Sequence, residues 1–507
     1  MRLKYLAPKY QALKYLAMLA ASCLAAHAAA AYWPGEKWRT AQPESQGLDS
    51  QALASAVDRV LQDHLGVHSL LVIRHGYTVL DAYFYPYNSS VPHDLASVTK
   101  SITSVLTGIA AGQGLVNADR KLLSFFPNER PENPYELKQR ITVGNLLHME
   151  SGLDCGYLPG EQELEQMKRS ANWVKFALAL PMKYEPGTHS SYCSPGYHLL
   201  GSVIASAARQ SELEFGRKNL FGPLSIREVV WADDPQGRSH GWGDSHLFPQ
   251  DLAKIGYLYL HGGQWDGKQI VPADWVTMAT TPATAERGGP GALGIEWNAS
   301  NGPNGRQYGG NGRGGQSLIV WPELDMIVVI TAGGNAGQIA PLIRQAVKSE
   351  AALPAKVNAY RQLHMKAARA ARAPEADAVP PLPAMAAKIS GVRYDFPLNP
   401  SRLDSLSLQF GREPRLNVKY LGQELSFPLG LDGRYNLGPH GPLHLLAGAK
   451  GQWTSENEFL LDLNFIANIN HYTLKLRFDG SKIEVDATEA SGLIRNGHIT
   501  GTAAALP

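Results

Sequence analysis

An α/β (α+β) domain with one antiparallel sheet flanked by helices, followed by a separate antiparallel β domain, is the architecture this 507-residue sequence predicts. Three observations carry the prediction. Apolar residues alternate in a hairpin near residue 75 and again near residue 323. Helical patterns fill the interval between the two hairpins. Beyond residue 388 the apolar pattern turns to period two, the signature of half-buried strands.

The first hairpin turns at Arg74-His75-Gly76 and joins strands Ser69–Ile73 and Tyr77–Phe84. A helix follows, with Val98, Ile102, Val105, Leu106 and Ile109 on one face. Residues 115–300 hold helical stretches between Gly/Pro loops, among them Val143–His148, Trp173–Leu180 and Gly196–Ala208. Leu318–Val320 and Met326–Ile330 pair about Pro322-Glu323-Leu324-Asp325, and Gln338–Val347 is a closing helix. Strands at both ends imply one sheet built from the two termini of the domain and covered by the inserted helices. This domain is expected over residues 32–355. Residues 356–387 are expected as a linker, because Pro374, Pro380, Pro381 and Pro383 punctuate an alanine-rich stretch. In residues 388–507, Leu406/Leu408/Phe410, Leu416/Val418/Tyr420, Tyr472/Leu474/Leu476/Phe478 and Ile483/Val485 each mark one strand face. The turns Asp432-Gly433 and Asp479-Gly480 separate strands, so a barrel or a sandwich is expected.

Composition narrows the class. The chain is 44% hydrophobic and 18% charged, as globular proteins are, and its net charge of +2 gives no basis for a nucleic-acid partner. Residues 1–31 carry Arg2, Lys4, Lys9 and Lys14 and no acid. That basic stretch precedes an apolar run, Tyr15 to Ala26, which ends in the alanines Ala28 to Ala31. The pattern predicts a cleaved export signal, a mature chain starting near Tyr32, and a periplasmic or secreted location. The run is too short to span a membrane. Cys23 sits in a faint lipoprotein box whose leucine, Leu19, falls one place early, so cleavage after the alanines is expected over lipid anchoring. Cys155 and Cys193 then remain, either as a disulfide or as two buried thiols.

Ser97-Val98-Thr99-Lys100 lies at the start of the predicted helix. Residues three apart share a helix face, so the Lys100 amine reaches the Ser97 hydroxyl and can exchange its proton. The bland reading is an N-capping serine followed by a solvent-facing lysine. Three more segments bear on the choice. Tyr192-Cys193-Ser194 sets a phenol and a hydroxyl two residues apart on a loop entering a helix, which offers a general acid or base; the bland reading is a buried tyrosine bonded to backbone. Tyr308-Gly309-Gly310-Asn311-Gly312-Arg313-Gly314-Gly315-Gln316 precedes a strand, where glycines let the backbone approach a ligand and donate N–H groups to an oxyanion. The third segment, Leu146 to Cys155, is a helix end turning into a loop. His148, His189 and His198 show no metal-ligand spacing, Gly-x-Ser-x-Gly is absent, and no metal or cofactor is expected. Trp231, Trp242, Trp265 and Trp275 read as core or cleft wall.

On these residues, over about residues 40–350, the chain resembles the penicillin-recognising serine hydrolases: class C beta-lactamases, DD-peptidases and related esterases. Ser97 and Lys100 match that family's Ser-x-x-Lys, and Tyr192 and Ser194 its Tyr-x-Asn or Tyr-x-Ser. Leu147-x-x-x-Ser151-Gly152-Leu153 and Pro186-Gly187-Thr188 also look like the family, and the motifs come in its order. The resemblance implies a beta-lactamase/transpeptidase-like fold and an acyl-enzyme on Ser97. Lys100 and Tyr192 would share the proton. Ser194, Gly310, Asn311, Gly312 and Arg313 would bind substrate and oxyanion. The third family motif, Lys/His-Thr-Gly, aligns with Gly310-Asn311-Gly312 or with Gln307-Tyr308-Gly309, and neither supplies the cation. That departure weakens the beta-lactamase and carboxypeptidase readings; Arg313 would restore the charge if its side chain points into the cleft. A Cys155–Cys193 disulfide bracing the Tyr192 loop is implied as well. The expected activity is therefore that of an exported, esterase-like serine hydrolase taking a small-molecule ester, amide or peptide, with cell-envelope association open. The alternatives are a beta-lactamase or DD-peptidase, and a non-catalytic cell-envelope binding protein.

Overall fold

The computed structural model describes residues 32–504, apart from 132–134, 157–160, 283–296, 303–304, 335, 400 and 421. The predicted export signal and Cys23 lie outside the described residues.

A seven-stranded sheet organises the first domain. Its strands are β1 (Arg39–Thr40), β2 (Val67–Arg74), β3 (Tyr77–Tyr83), β4 (Ser300–Gly302), β5 (Gly305–Gly312), β6 (Gln316–Trp321) and β7 (Met326–Ala332). They lie in the order β1-β3-β2-β7-β6-β5-β4. Pairing of β2 with β7, with Ile73 opposite Ile327 and Leu71 opposite Val329, joins the two ends of the domain as the sequence pattern implies. All eight residues of β2 and all seven of β7 are buried, so this central pair is covered on both faces.

Helices lie on each side. On one side α1 (Ser50–Gln62) starts at Asp49, whose carboxylate accepts the Gln51 N–H at 2.8 Å, and buries Leu53, Ala54, Ala56, Val57 and Val60. On the other side lie α2 (Val98–Gly112), α3 (Ser194–Ala208) and α4 (Pro249–Leu260). Every α2 residue from Val98 to Ala110 is buried, not only the predicted apolar face. A helix enclosed all round has mostly protein partners to offer its hydroxyls, and among the described residues Ser104 alone of its threonines and serines is left without one. Accordingly Thr99 pairs with Ser245 at 2.7 Å and Thr103 donates to the Gly241 carbonyl at 2.8 Å.

Residues 356–387 are more than a linker. Val357–Ala370 forms a helix, α5, which buries Leu363 and Ala370 in the same cluster as α1. These positions and Ala367, partly buried against that cluster, recur at helical spacing, and Lys366 pairs with Asp58 of α1. Packing of this stripe outweighs the linker-like composition. The proline-rich stretch that follows carries no helix or strand until Ala384–Ile389.

The C-terminal domain is a barrel of nine strands, which settles the barrel-or-sandwich choice. A parallel pairing between Gln423–Gly430 and Ala447–Trp453, with Leu429 opposite Ala449, closes it. The period-two residues Leu406, Leu408, Leu416, Val418, Leu476, Ile483 and Val485 fill its interior with Phe427 and Phe459. Backbone and side chains join barrel to catalytic domain: the Asp94 N–H donates to the Ala467 carbonyl at 2.8 Å, and the Tyr87 hydroxyl to Asn464 Oδ1 at 3.2 Å.

Candidate active site

Ser97 stands at the N-cap of α2, and its hydroxyl takes no capping bond from the helix, which leaves it to Lys100 and Tyr192. The turn into the helix is tight. Ala96, just before it, has a positive φ of 45°, a conformation that costs about 1–3 kcal/mol in a residue with a Cβ and persists only where neighbours enforce it. They do so here: the Ala96 N–H donates to Asp94 Oδ1 at 2.7 Å, and the Leu95 N–H to the Ser245 carbonyl at 2.9 Å.

Lys100 is fully buried one turn on. Its Nζ donates to Ser97 Oγ at 3.1 Å, to the Tyr192 hydroxyl at 2.6 Å and to the Trp242 carbonyl at 2.9 Å, enough acceptors for all three hydrogens of an ammonium. Ser97 Oγ and the Tyr192 hydroxyl lie 2.7 Å apart, closing a triangle of nucleophile, amine and phenol. Such a group can pass the serine proton through either neighbour.

Tyr192 is held by the segment from Leu147 to Cys155. Cys193 is disulfide-bonded to Cys155. The Ser191 N–H donates to the Met149 carbonyl at 2.8 Å, and the Tyr197 hydroxyl to the Leu147 carbonyl at 3.0 Å. Cys193 also caps α3, its sulfur accepting the Gly196 N–H at 3.1 Å. Ser194 does not join the triangle. It is buried at the first turn of α3, and its hydroxyl has no hydrogen-bond partner among the described residues.

Strand β5 passes close to the start of α2. A Cβ at Gly310 would stand 2.7 Å from Ser101 Oγ and 2.9 Å from Val98 Cγ1; one at Gly312 would stand 2.7 Å from the Leu95 carbonyl oxygen. Neither glycine offers a side chain here, so neither position supplies a cation. Asn311 alternates to the other strand face, exposed, and its Oδ1 accepts from Ser317 Oγ at 3.4 Å. Arg313 is directed to the barrel: its Nη1 donates to Ser491 Oγ and lies 3.9 Å from Glu489 Oε1. It does not stand as an uncommitted cation.

Several contributing groups carried no signal in the sequence. Trp242 acts through its backbone carbonyl, which any residue supplies. Asp94 braces the turn before Ser97 and is pushed up by burial, with nearby Asp244 adding to the rise against the opposing His246 and Arg313. Burial also opposes ionisation of Asp244. The hydrogen bond and charge of His240, with Lys168 and His246, outweigh it and hold Asp244 at about 2. Asp244 Oδ2 and His240 Nδ1 are 2.8 Å apart.

Comparison with known proteins follows the same outline. A family model described as Beta-lactamase matches residues 51–351. The chain is similar to the 6-aminohexanoate-dimer hydrolase of Paenarthrobacter ureafaciens, 23% identical over 287 residues, covering 52% of this chain and 71% of that protein. It is 24% identical over 144 residues to the N-acetylmuramyl-L-alanine amidase of Bacillus subtilis (strain 168), covering 27% of this chain and only 33% of that protein. Among solved structures, EstCE1, described as a hydrolase with promiscuous acyltransferase activity, superposes with a TM-score of 0.50 at 18% identity, covering 59% of this chain and 99% of its own. At that identity the likeness speaks to the fold.

Proposed function

Because the chain belongs to the beta-lactamase family and is a serine hydrolase of that family, we propose that it is an exported, esterase-like enzyme that cleaves ester or amide bonds through an acyl-enzyme on Ser97. The Ser97–Lys100–Tyr192 triangle carries this reading. Ser97 Oγ bonds to the substrate carbonyl carbon while its proton passes to the Lys100/Tyr192 pair. The N–H groups at Ser97 and along Gly310–Arg313 stabilise the oxyanion. The carbonyl re-forms, the leaving alkoxide or amine takes the proton, and the acyl group stays on Ser97. Water then attacks the acyl carbon and gives a proton to the same pair; the bond to Ser97 Oγ breaks, Ser97 Oγ takes that proton back, and the acid leaves.

Charge favours esters and uncharged amides over beta-lactams and carboxylate-terminated peptides. Gly310 and Gly312 supply no cationic side chain, and Arg313 is engaged by the barrel. Export is supported by the basic and apolar pattern of residues 1–31 and by the Cys155–Cys193 disulfide, a bond typical of oxidising compartments. N-terminal sequencing of the protein from the native compartment, starting near Tyr32, tests it.

The activity is tested by comparing a short-chain p-nitrophenyl ester with a chromogenic cephalosporin, using the full chain and a Ser97→Ala control. Ester turnover lost in the control, with little cephalosporin turnover, is the expected result. Rapid Ser97-dependent cephalosporin turnover would make beta-lactamase the better name. Inactivity on both would leave a narrow amide substrate or a binding role in the cell envelope.

A further inference from the structure

We propose that the C-terminal barrel sets the charge selectivity of the cleft: Glu489 and Ser491 hold the Arg313 guanidinium away from the substrate and so disfavour anionic substrates. This rests on the reading of Ser97 as the nucleophile.

The barrel presents a built anion at this edge. Glu489 is fully buried on its side-chain surface. Its carboxylate accepts the Leu493 N–H at 2.9 Å, Asn470 Nδ2 at 3.2 Å, and the Ser491 hydroxyl at 2.9 and 2.7 Å from its two oxygens. Arg313 donates to that same Ser491 hydroxyl, so serine links guanidinium to carboxylate. The guanidinium is not sealed in: 40% of the Arg313 side chain stays exposed.

The other end of Arg313 belongs to the active site. It follows Gly312, which abuts Leu95 and Ala96 at the entrance to α2. It is the one charged residue between Gln307 and Gln316. Asp94, three residues before Ser97, feels its charge. The barrel meets this corner a second time where Asn468 Nδ2 donates to His246 Nε2 at 3.1 Å. A cation beside the nucleophile helix is thus paired, through Ser491, with a carboxylate from another domain. Released from Ser491, the flexible arginine stem lets the guanidinium turn toward a substrate carboxylate, which it can bind with two parallel hydrogen bonds.

The test is steady-state kinetics of the full chain on two p-nitrophenyl esters of equal acyl length, one ending in a methyl group and one in a carboxylate. Ser491→Ala removes the direct contact, and Glu489→Gln removes the charge at nearly constant shape. Freeing one partly exposed ion pair predicts a KM for the carboxylate ester lower by about three- to fivefold in either variant. The KM for the neutral ester should move by less than twofold. Adding Arg313→Ala to either variant should erase the gain, and raised salt should shrink it. Equal shifts on both esters, no shift on either, or a gain that survives Arg313→Ala would overturn the proposal. Among the described residues Ser491 bonds no buried partner beyond Glu489, so its variant decides the matter if Glu489→Gln fails to fold. Turnover that persists in Ser97→Ala overturns the nucleophile assignment instead.

Discussion

Lys100 Nζ donates to the Tyr192 hydroxyl at 2.6 Å although 92 residues separate them, and the same nitrogen reaches Ser97 Oγ at 3.1 Å. One buried amine therefore joins the serine to the phenol. Tyr192→Phe removes the phenol oxygen and leaves the amine in place. Its kcat should fall about 10²- to 10⁴-fold, the usual worth of a positioned proton-transfer group, with KM little changed. Stopped-assay kinetics on the ester substrate checks this. The Lys100→Ala/Tyr192→Phe double variant should lose little beyond either single one, because groups acting as a unit are not additive.

The Cys155–Cys193 bond closes a loop with a sequence separation of 38 residues. Loop-closure entropy for that length is about 4 kcal/mol. Cys155→Ser/Cys193→Ser should unfold at a clearly lower temperature in calorimetry. It should also lose activity below its melting point, since Tyr192 adjoins the bond.

Glu212 predicts a pH-dependent stability. It is 1% exposed, neither of its oxygens has a hydrogen-bond partner among the described residues, and the proton of nearby Thr103 is committed to the Gly241 carbonyl. Burial pushes its carboxyl from the ordinary 4.5 up to about 8. Between those values the folded chain keeps a proton that the unfolded chain has released, so stability falls as pH rises, by about 1.4 kcal/mol per pH unit. Glu212→Gln removes the penalty. The variant should melt above the parent at pH 7.5, with the gap closing toward pH 4.5. A gap independent of pH would contradict the assignment.

Gly310→Ala tests the approach of β5 to the nucleophile helix. The added methyl meets Ser101 Oγ at 2.7 Å and Val98 Cγ1 at 2.9 Å. Overpacking of this kind costs about 1–3 kcal/mol. Because the contact lies one residue from Ser97, kcat/KM should fall more steeply than stability, with displacements near 1 Å costing about 10²-fold. Thermal melts and ester kinetics on the same preparation separate the two effects.

What the sequence discloses depends on how local the signal is. Ser97 and Lys100 share one helical turn, so spacing puts them within reach, and the further motifs decide between that contact and a solvent-facing lysine. The hairpins and the barrel strands follow from period two, because one face of each is buried. Tyr192 is remote in sequence: its local Tyr-x-Ser segment marks it as a candidate, and the order of the motifs ties it to Ser97. The direction of Arg313 was not legible, because it depends on strand facing and on where a second domain docks. The Trp242 carbonyl leaves no trace in residue identity. Helix α5 was obscured because Leu363, Ala367 and Ala370 lie beside a proline-rich stretch whose composition dominates the window.

The most direct measurement of the central claim is intact-protein and peptide mass spectrometry after rapid quenching with a slowly hydrolysed activated ester. One acyl group per chain is expected, carried on the peptide containing Ser97 and absent from Ser97→Ala. An acyl group on another residue, or ester turnover undiminished in Ser97→Ala, would contradict it.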